Sequence, residues 1–212
     1  MKIRWLGHAC FLITSSKGTR ILTDPFDETV GYAIPTAEAD YVTVSHGHFD
    51  HSGTNLVKGR PRVIRDVGAH QLGDVAAHGI QTFHDDVQGQ KRGKNTVFVL
   101  EVDGVRVCHL GDLGHIPTQD QISAIGRVDV LLIPVGGAYT IDSAGAARVT
   151  ELLAPKVVIP MHFKTDALSF PIEPVDPFLK KVGGGTRTGG ATLEITAQDL
   201  VGPRKVYVLE YA

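Results

Sequence analysis

The stretch Tyr41-Val42-Thr43-Val44-Ser45-His46-Gly47-His48-Phe49-Asp50-His51 runs from a β-branched apolar segment straight into three histidines and an aspartate. Four β-formers in a row predict a strand. The polar cluster then falls just past its end, where open α/β sheets present ligands. His46 and His48, two residues apart on an extended turn, point the same way and can chelate one ion. Asp50 and His51, further round, can begin a second site. Imidazole with carboxylate suits zinc, with iron, manganese and nickel as alternatives. Two ions in one site need further ligands and, preferably, one shared carboxylate.

Working outward, three more ligand-capable residues each follow a predicted strand. His84 follows Gln81–Phe83. Asp112 follows Val105–Leu110 across Gly111, which permits a tight turn, and is the candidate bridge. His162 follows the apolar run Lys156–Ile159. Residues from separate strands converging this way are what a site built on a sheet edge requires.

The remaining chain supplies the frame. Ile3–Leu6, Cys10–Thr14 and Arg20–Thr23 read as strands. Thr96–Val102 and Val105–Leu110 flank Asp103-Gly104, a hairpin signal. Val128–Ile133 is continuous and apolar, as in a strand buried on both faces. Asp142–Leu153 and Pro174–Val182 read as helices, stopped by Ala154-Pro155 and Gly183-Gly184-Gly185. Asp66–His78 has helical spacing, with Gly79 as its stop, placing His70 and His78 on a surface helix. Thr192–Ile195 and Val206–Leu209 close the chain as strands. Antiparallel strands followed by β-α-β units predict two packed sheets with helices outside, and no linker divides residues 1–212.

Composition narrows the classes. The 212 residues are 42% hydrophobic and 21% charged, an ordinary globular balance. Lys plus Arg number 21 against 23 Asp plus Glu, a net charge of -2 that argues against a nucleic-acid binder. No apolar run is long enough to span a membrane, and the start lacks the apolar core of a signal peptide. A cytoplasmic protein is the default expectation. Cys10 and Cys108 read as buried thiols.

His-x-His-x-Asp-His, then His84, Gly111-Asp112 and Pro160-Met161-His162, in that order, resemble the metallo-β-lactamase superfamily along the whole chain. Trp5-Leu6-Gly7-His8, Ile21-Leu22-Thr23-Asp24-Pro25-Phe26 and Ile159-Pro160-Met161-His162 resemble its branch of ascorbate-6-phosphate lactonase-like hydrolases. The resemblance implies a four-layer αβ/βα sandwich with a dinuclear centre at one edge. By position it implies His46, His48 and His84 on one ion, Asp50, His51 and His162 on the other, and Asp112 between them. The commonest β-lactamases carry cysteine where Asp112 stands, flavodiiron members carry glutamate at His48, and 212 residues leave no room for an added substrate or nuclease domain.

Other residues have weaker signals. The resemblance puts His8 near the metals. Asp24 is a candidate acceptor for an imidazole N–H, and His109 a candidate buried neighbour of the Asp112 turn. Arg92 and Asn95 lie in a polar loop after His84 and are a candidate anion clamp. Lys164 could add a second charge. His115 reads as a pocket or surface residue, and Gly137–Tyr139 as a pocket wall or an interface.

The resulting expectation is a dinuclear hydrolase in which Asp50 and Asp112 orient a metal-activated hydroxide on a small, anionic ester, lactone or phosphodiester. A metal-binding or sensing module without turnover and a compact nuclease are the alternatives. Oligomeric state is open.

Overall fold

A computed structural model describes residues 1–34 and 36–212. One sheet has six strands: β1 (Lys2–Gly7), β2 (Cys10–Thr14), β3 (Arg20–Thr23), β4 (Tyr41–Thr43), β5 (Arg62–Ile64) and β13 (Thr192–Glu194), in the order β13-β1-β2-β3-β4-β5. The other has eight: β6 (Gly68–Leu72), β7 (Val75–Phe83), β8 (Lys94–Val102), β9 (Val105–His109), β10 (Val130–Pro134), β11 (Val157–Met161), β12 (Thr186–Arg187) and β14 (Lys205–Val208), in the order β12-β14-β11-β10-β9-β8-β7-β6. Both sheets mix parallel and antiparallel pairs.

Alternation along the strands fixes the layers. Ile3, Trp5, Phe11, Ile13 and Ile21 join the large core shared with the second sheet. Cys10, Leu22 and Val42, on the opposite parity, join a smaller core under Phe26, Val30, Tyr32, Val57 and Leu168. A one-residue slip would exchange these faces, so the two cores lock the register. β10 and β11 are buried at every position, as a strand covered on both faces should be.

Three helices, α1 (Gln119–Ile125), α2 (Ser143–Leu153) and α3 (Asp176–Val182), lie in the second half. The Asp142 side chain caps α2 by accepting the Gly145 N–H at 2.7 Å. Irregular segments and single 3₁₀ turns, rather than α-helices, cover the smaller core. Cys10 and Cys108 are free and buried, as expected.

The predicted helix at 66–78 is instead a hairpin, β6 turning into β7 at Gly73-Asp74, with Leu72 opposite Val75. Gly73 has φ +62° at the first central position, where a II′ turn requires glycine. Buried Leu72, Val75 and Ala77 alternate with exposed Gln71, Ala76 and His78, a period of two that outweighs the helical spacing. His70 and His78 are therefore strand residues, the first half-buried and the second exposed, and Gly79 sits inside β7.

Strand direction positions the site. β1, β3 and β4 run the same way because β2 is antiparallel to both β1 and β3, and β3 is parallel to β4. By the same reasoning β7, β9, β10 and β11 share one direction. The carboxyl ends of each set meet at one edge of the sandwich. His8, Asp24 and Ser45-His46 leave the first sheet there; His84, Gly111-Asp112 and His162 leave the second.

Candidate metal centre

At that edge the ligand atoms of His46, His48 and His84 lie within 4.8 Å of one another, as do those of His8, Asp50, His51 and His162. Asp112 stands between the groups. Its Oδ2 is 3.1 Å from His84 Nε2, 3.4 Å from His162 Nε2 and 4.0 Å from His46 Nε2. Its Oδ1 is 3.2 Å from His51 Nε2. Oδ2 thus faces histidines of both groups, the arrangement a bridging carboxylate needs.

Tautomers sharpen this picture. His51 Nδ1 donates to Asp24 Oδ2 at 2.8 Å, which turns Nε2 toward the cluster. His51 Nε2 and Asp112 Oδ1 are both buried and neither has a hydrogen-bond partner. With His51 neutral, two lone pairs confront each other there, and a proton or a metal ion is required to relieve them. Among the described residues, five of the eight unpartnered buried polar atoms belong to this cluster: His8 Nδ1, His51 Nε2, His84 Nδ1, His162 Nδ1 and Asp112 Oδ1. Such groups normally find partners, so their concentration fits a centre completed by cations.

Electrostatics agree. Burial raises the Asp112 carboxyl, but His162 and His51 more than offset it and hold it well below the usual carboxylate range. Burial opposes the charging of His51, yet Asp112, Asp24 and Asp50 overcome it and hold that imidazole well above its ordinary value. Burial, aided by His51, lowers His46 to about 3. Burial, aided by His162, lowers His8 to about 4. A neutral imidazole is the form that ligates metal. Without an ion, the proton on His51 is the charge that balances the carboxylates.

The supporting residues fall into place. His8 Nε2 donates to Asp50 Oδ2 at 3.2 Å, and the His8 and His162 ring centroids are 4.1 Å apart. His8, Asp24 and His162 are non-glycine residues with positive φ, at 51°, 39° and 50°. Strain of this kind collects at functional sites. His109 Nε2 donates to the Ala9 carbonyl at 2.8 Å, and Nδ1 accepts the Gly111 N–H at 3.1 Å. That imidazole is a neutral tie between the sheets, just beneath the Asp112 turn.

Two expectations change. Asn95 is not in a solvated loop: it begins β8 with its side chain buried, accepting the Asp112 N–H at 2.9 Å and donating to Leu110 O and Thr82 Oγ1. It braces the Asp112 turn, with both its amide nitrogen and its amide oxygen engaged there. Lys164 does not line the site; its ammonium is held by the carbonyls of Leu168 and Phe170. Arg92 does reach it. Arg92 lines a cavity of about 370 Å³ over the cluster, together with Lys91, Phe49, Tyr139 and Phe170. His115 lies beside a neighbouring cavity, accepting the Phe83 N–H through Nε2 at 3.3 Å.

Sequence reading missed Asp85, whose carboxylate accepts the N–H groups of Val87, Gly89, Lys91 and Arg92 and folds that loop beside His84. These N–H groups hold the carboxyl below its usual range although burial raises it. An Asp followed two residues on by a loop is the available signal.

Comparison with known proteins decides the family. The β-lactamase superfamily domain matches residues 2–162. A UPF0173 metal-dependent hydrolase of Archaeoglobus fulgidus is 33% identical over 208 residues, covering 84% of this chain and 87% of its own. The chain belongs to the metallo-β-lactamase superfamily, in the UPF0173 family. The fold of this UPF0173 protein is similar to that of a crystal structure from Thermotoga maritima, described as a Zn-dependent hydrolase of the superfamily. The TM-score is 0.84 at 47% identity, covering 100% of this chain and 99% of that one. A metallo hydrolase from Ignicoccus hospitalis is similar at TM-score 0.70 and 26% identity, covering 99% and 94%. No helix among the described residues is long and apolar enough to cross a membrane.

Proposed function

We propose that this UPF0173 protein is a dinuclear metal-dependent hydrolase that cleaves an ester, lactone or phosphodiester bond in a small anionic substrate, as members of a lactonase-like branch would. One observation carries the reading: Asp112 Oδ2 lies 3.1 Å from His84 Nε2 of one histidine group and 3.4 Å from His162 Nε2 of the other.

His46, His48 and His84 would hold one ion, Asp50, His51 and His162 the second, with Asp112 shared. Ligand type favours zinc. When bound, two divalent ions supply Lewis acidity and a water acidified toward neutral pH. The chain's own residues do the rest. Asp24 fixes His51 with Nε2 inward. His8 donates to Asp50 Oδ2 and so aims that carboxylate, which is placed to receive the proton released on attack. Arg92, at the cavity wall, offers a planar fork to an anionic group.

Asp112→Asn tests the reading. Ester, lactone and phosphodiester hydrolysis by wild type and variant would be followed after reconstitution with zinc or manganese. Wild type should cleave at least one class, and the variant should lose about 10²-fold or more. Metal binding with no turnover on any class would favour a sensing module. Strongly salt-dependent nucleic-acid binding would favour a nuclease.

A further inference from the structure

Above the His/Asp cluster the cavity wall is aromatic. Phe49 comes from the ligand loop itself, Tyr139 from the turn after β10, and Phe170 from the segment after β11. Phe49 and Tyr139 are 53% and 37% exposed. Phe170 is the hub: its ring lies 6.3 Å from Phe49 and 6.1 Å from Tyr139, both at interplanar angles of 75°. Its far edge meets His8 at 5.7 Å. Isolated exposed aromatics need no explanation, but three converging on one opening form a contiguous apolar patch at a binding site.

A cation completes the patch. The Arg92 guanidinium sits 5.5 Å from the Tyr139 ring centroid and donates through Nη2 to the Ala138 carbonyl at 3.2 Å. Among the described residues it has no carboxylate partner. Lys91, by contrast, is paired with Asp86 at 3.5 Å. Arg92 is thus held in place by a ring and a carbonyl, with its charge left unpaired toward the cavity.

We infer that Phe49, Tyr139 and Phe170 form an aromatic collar that selects a substrate carrying a flat aromatic group beside the scissile bond, with a carboxylate or phosphate at its far end reaching Arg92. The inference rests on the hydrolase reading and names its substrate class. A planar aromatic group gains offset-stacked or edge-to-face contact with each ring, and its anionic end gains the unpaired guanidinium.

Three ethyl esters separate the contributions: monoethyl terephthalate, aromatic with a carboxylate; monoethyl adipate, flexible with the same charge; and ethyl benzoate, aromatic without charge. Acid release by the metal-reconstituted protein gives kcat/KM for each. The terephthalate ester should exceed both others by about tenfold or more. Tyr139→Ala and Phe170→Ala should each cut its advantage over adipate by about 2- to 12-fold, while Tyr139→Phe retains it. Arg92→Gln should abolish its advantage over ethyl benzoate. Equal rates on terephthalate and adipate esters, or an advantage that survives both alanine variants, would overturn the collar and leave the hydrolase standing. Calorimetric binding of terephthalate and adipate gives a readout independent of turnover. If none of the three esters is cleaved, tighter terephthalate binding that is lost in Phe170→Ala keeps the collar, and the hydrolase reading then rests on the lactone and phosphodiester assays; equal binding removes the collar.

Discussion

The turn after β4 and the turn after β9 do the same work with different chemistry. Each carries ligand candidates off a strand end, and each is held by one buried polar side chain from a neighbouring strand. In the first turn the brace is charged. Asp24 accepts the Ser45 N–H at 2.7 Å, the Ser45 hydroxyl at 2.5 Å and His51 Nδ1–H at 2.8 Å. In the second it is neutral, Asn95 holding the Asp112 N–H and the Leu110 carbonyl. Asp24 touches a ligand ring and so sets its basicity as well as its direction. Asn95 touches only backbone at the turn it holds, and so sets position alone. The strand that carries Asn95 is also tied to the first turn, the Thr96 N–H donating to the Ser45 carbonyl at 2.8 Å.

Gly111 is where the second turn packs against Asn95 and against Ser45 of the first, and its substitution should have the largest effect. A Cβ at Gly111 would lie 2.4 Å from Asn95 Oδ1 and 2.5 Å from Ser45 Cβ, on a backbone with φ +54°. The left-handed backbone and the overpacking together predict a loss of about 2–5 kcal/mol for Gly111→Ala in denaturant unfolding. A loss below about 1 kcal/mol would mean that the turns are not packed against each other.

Asn95→Ala comes next. It leaves the Asp112 N–H and the Leu110 carbonyl without partners, for a predicted loss of about 2–4 kcal/mol in the metal-free protein. Asp24→Asn should invert the pattern. The backbone conformation is tolerated by asparagine, so stability should change less, but zinc affinity measured by chelator competition should fall about 10- to 100-fold. If Asn95→Ala weakens zinc as much as Asp24→Asn does, the division between a tuning brace and a positioning brace is wrong.

How much of this was legible in the sequence follows from range. His-x-His-x-Asp-His declares itself because its residues are neighbours in the chain. His84, Asp112 and His162 could be placed because each follows a strand and the strands run the same way. The collar is legible only at Gly137–Tyr139, which reads as a pocket wall or an interface; Phe49 and Phe170 come from two other loops, and nothing in the sequence brings the three together. Asn95 and Lys164 were assigned toward an anion because residue type shows charge and polarity but not burial. The hairpin residues up to His78 read as a helix because four apolar residues happen to fit the helical period, while Gln81–Phe83 reads as the strand it is; Gly73-Asp74 holds the contrary signal. Helix α1 and strand β5 were not anticipated, although Thr118 and Gln121 form a capping box at the start of α1.

The smallest effect belongs far from both turns. Asp103 accepts from Ser16 and pairs with the N-terminal ammonium at 3.1 Å. Burial raises its carboxyl, but Ser16 and the ammonium outweigh this and hold it below the ordinary value. A depressed carboxyl contributes stability that is full above its unfolded value near 4 and disappears as pH falls through the folded one. Asp103→Asn should therefore lower stability at neutral pH by less than about 1 kcal/mol, converge with wild type in acid, and leave zinc affinity unchanged. A change in zinc affinity would show that the site is not confined to its edge of the sandwich.

The central claim is that two histidine groups share Asp112 around two cations. Elemental analysis of protein purified without added metal, then dialysed against zinc, tests it most directly. About two divalent ions per chain are expected, falling to one or fewer when His46 and His51 are both changed to alanine. A wild-type protein that retains no ion after dialysis, or a double variant that still holds two, would contradict it.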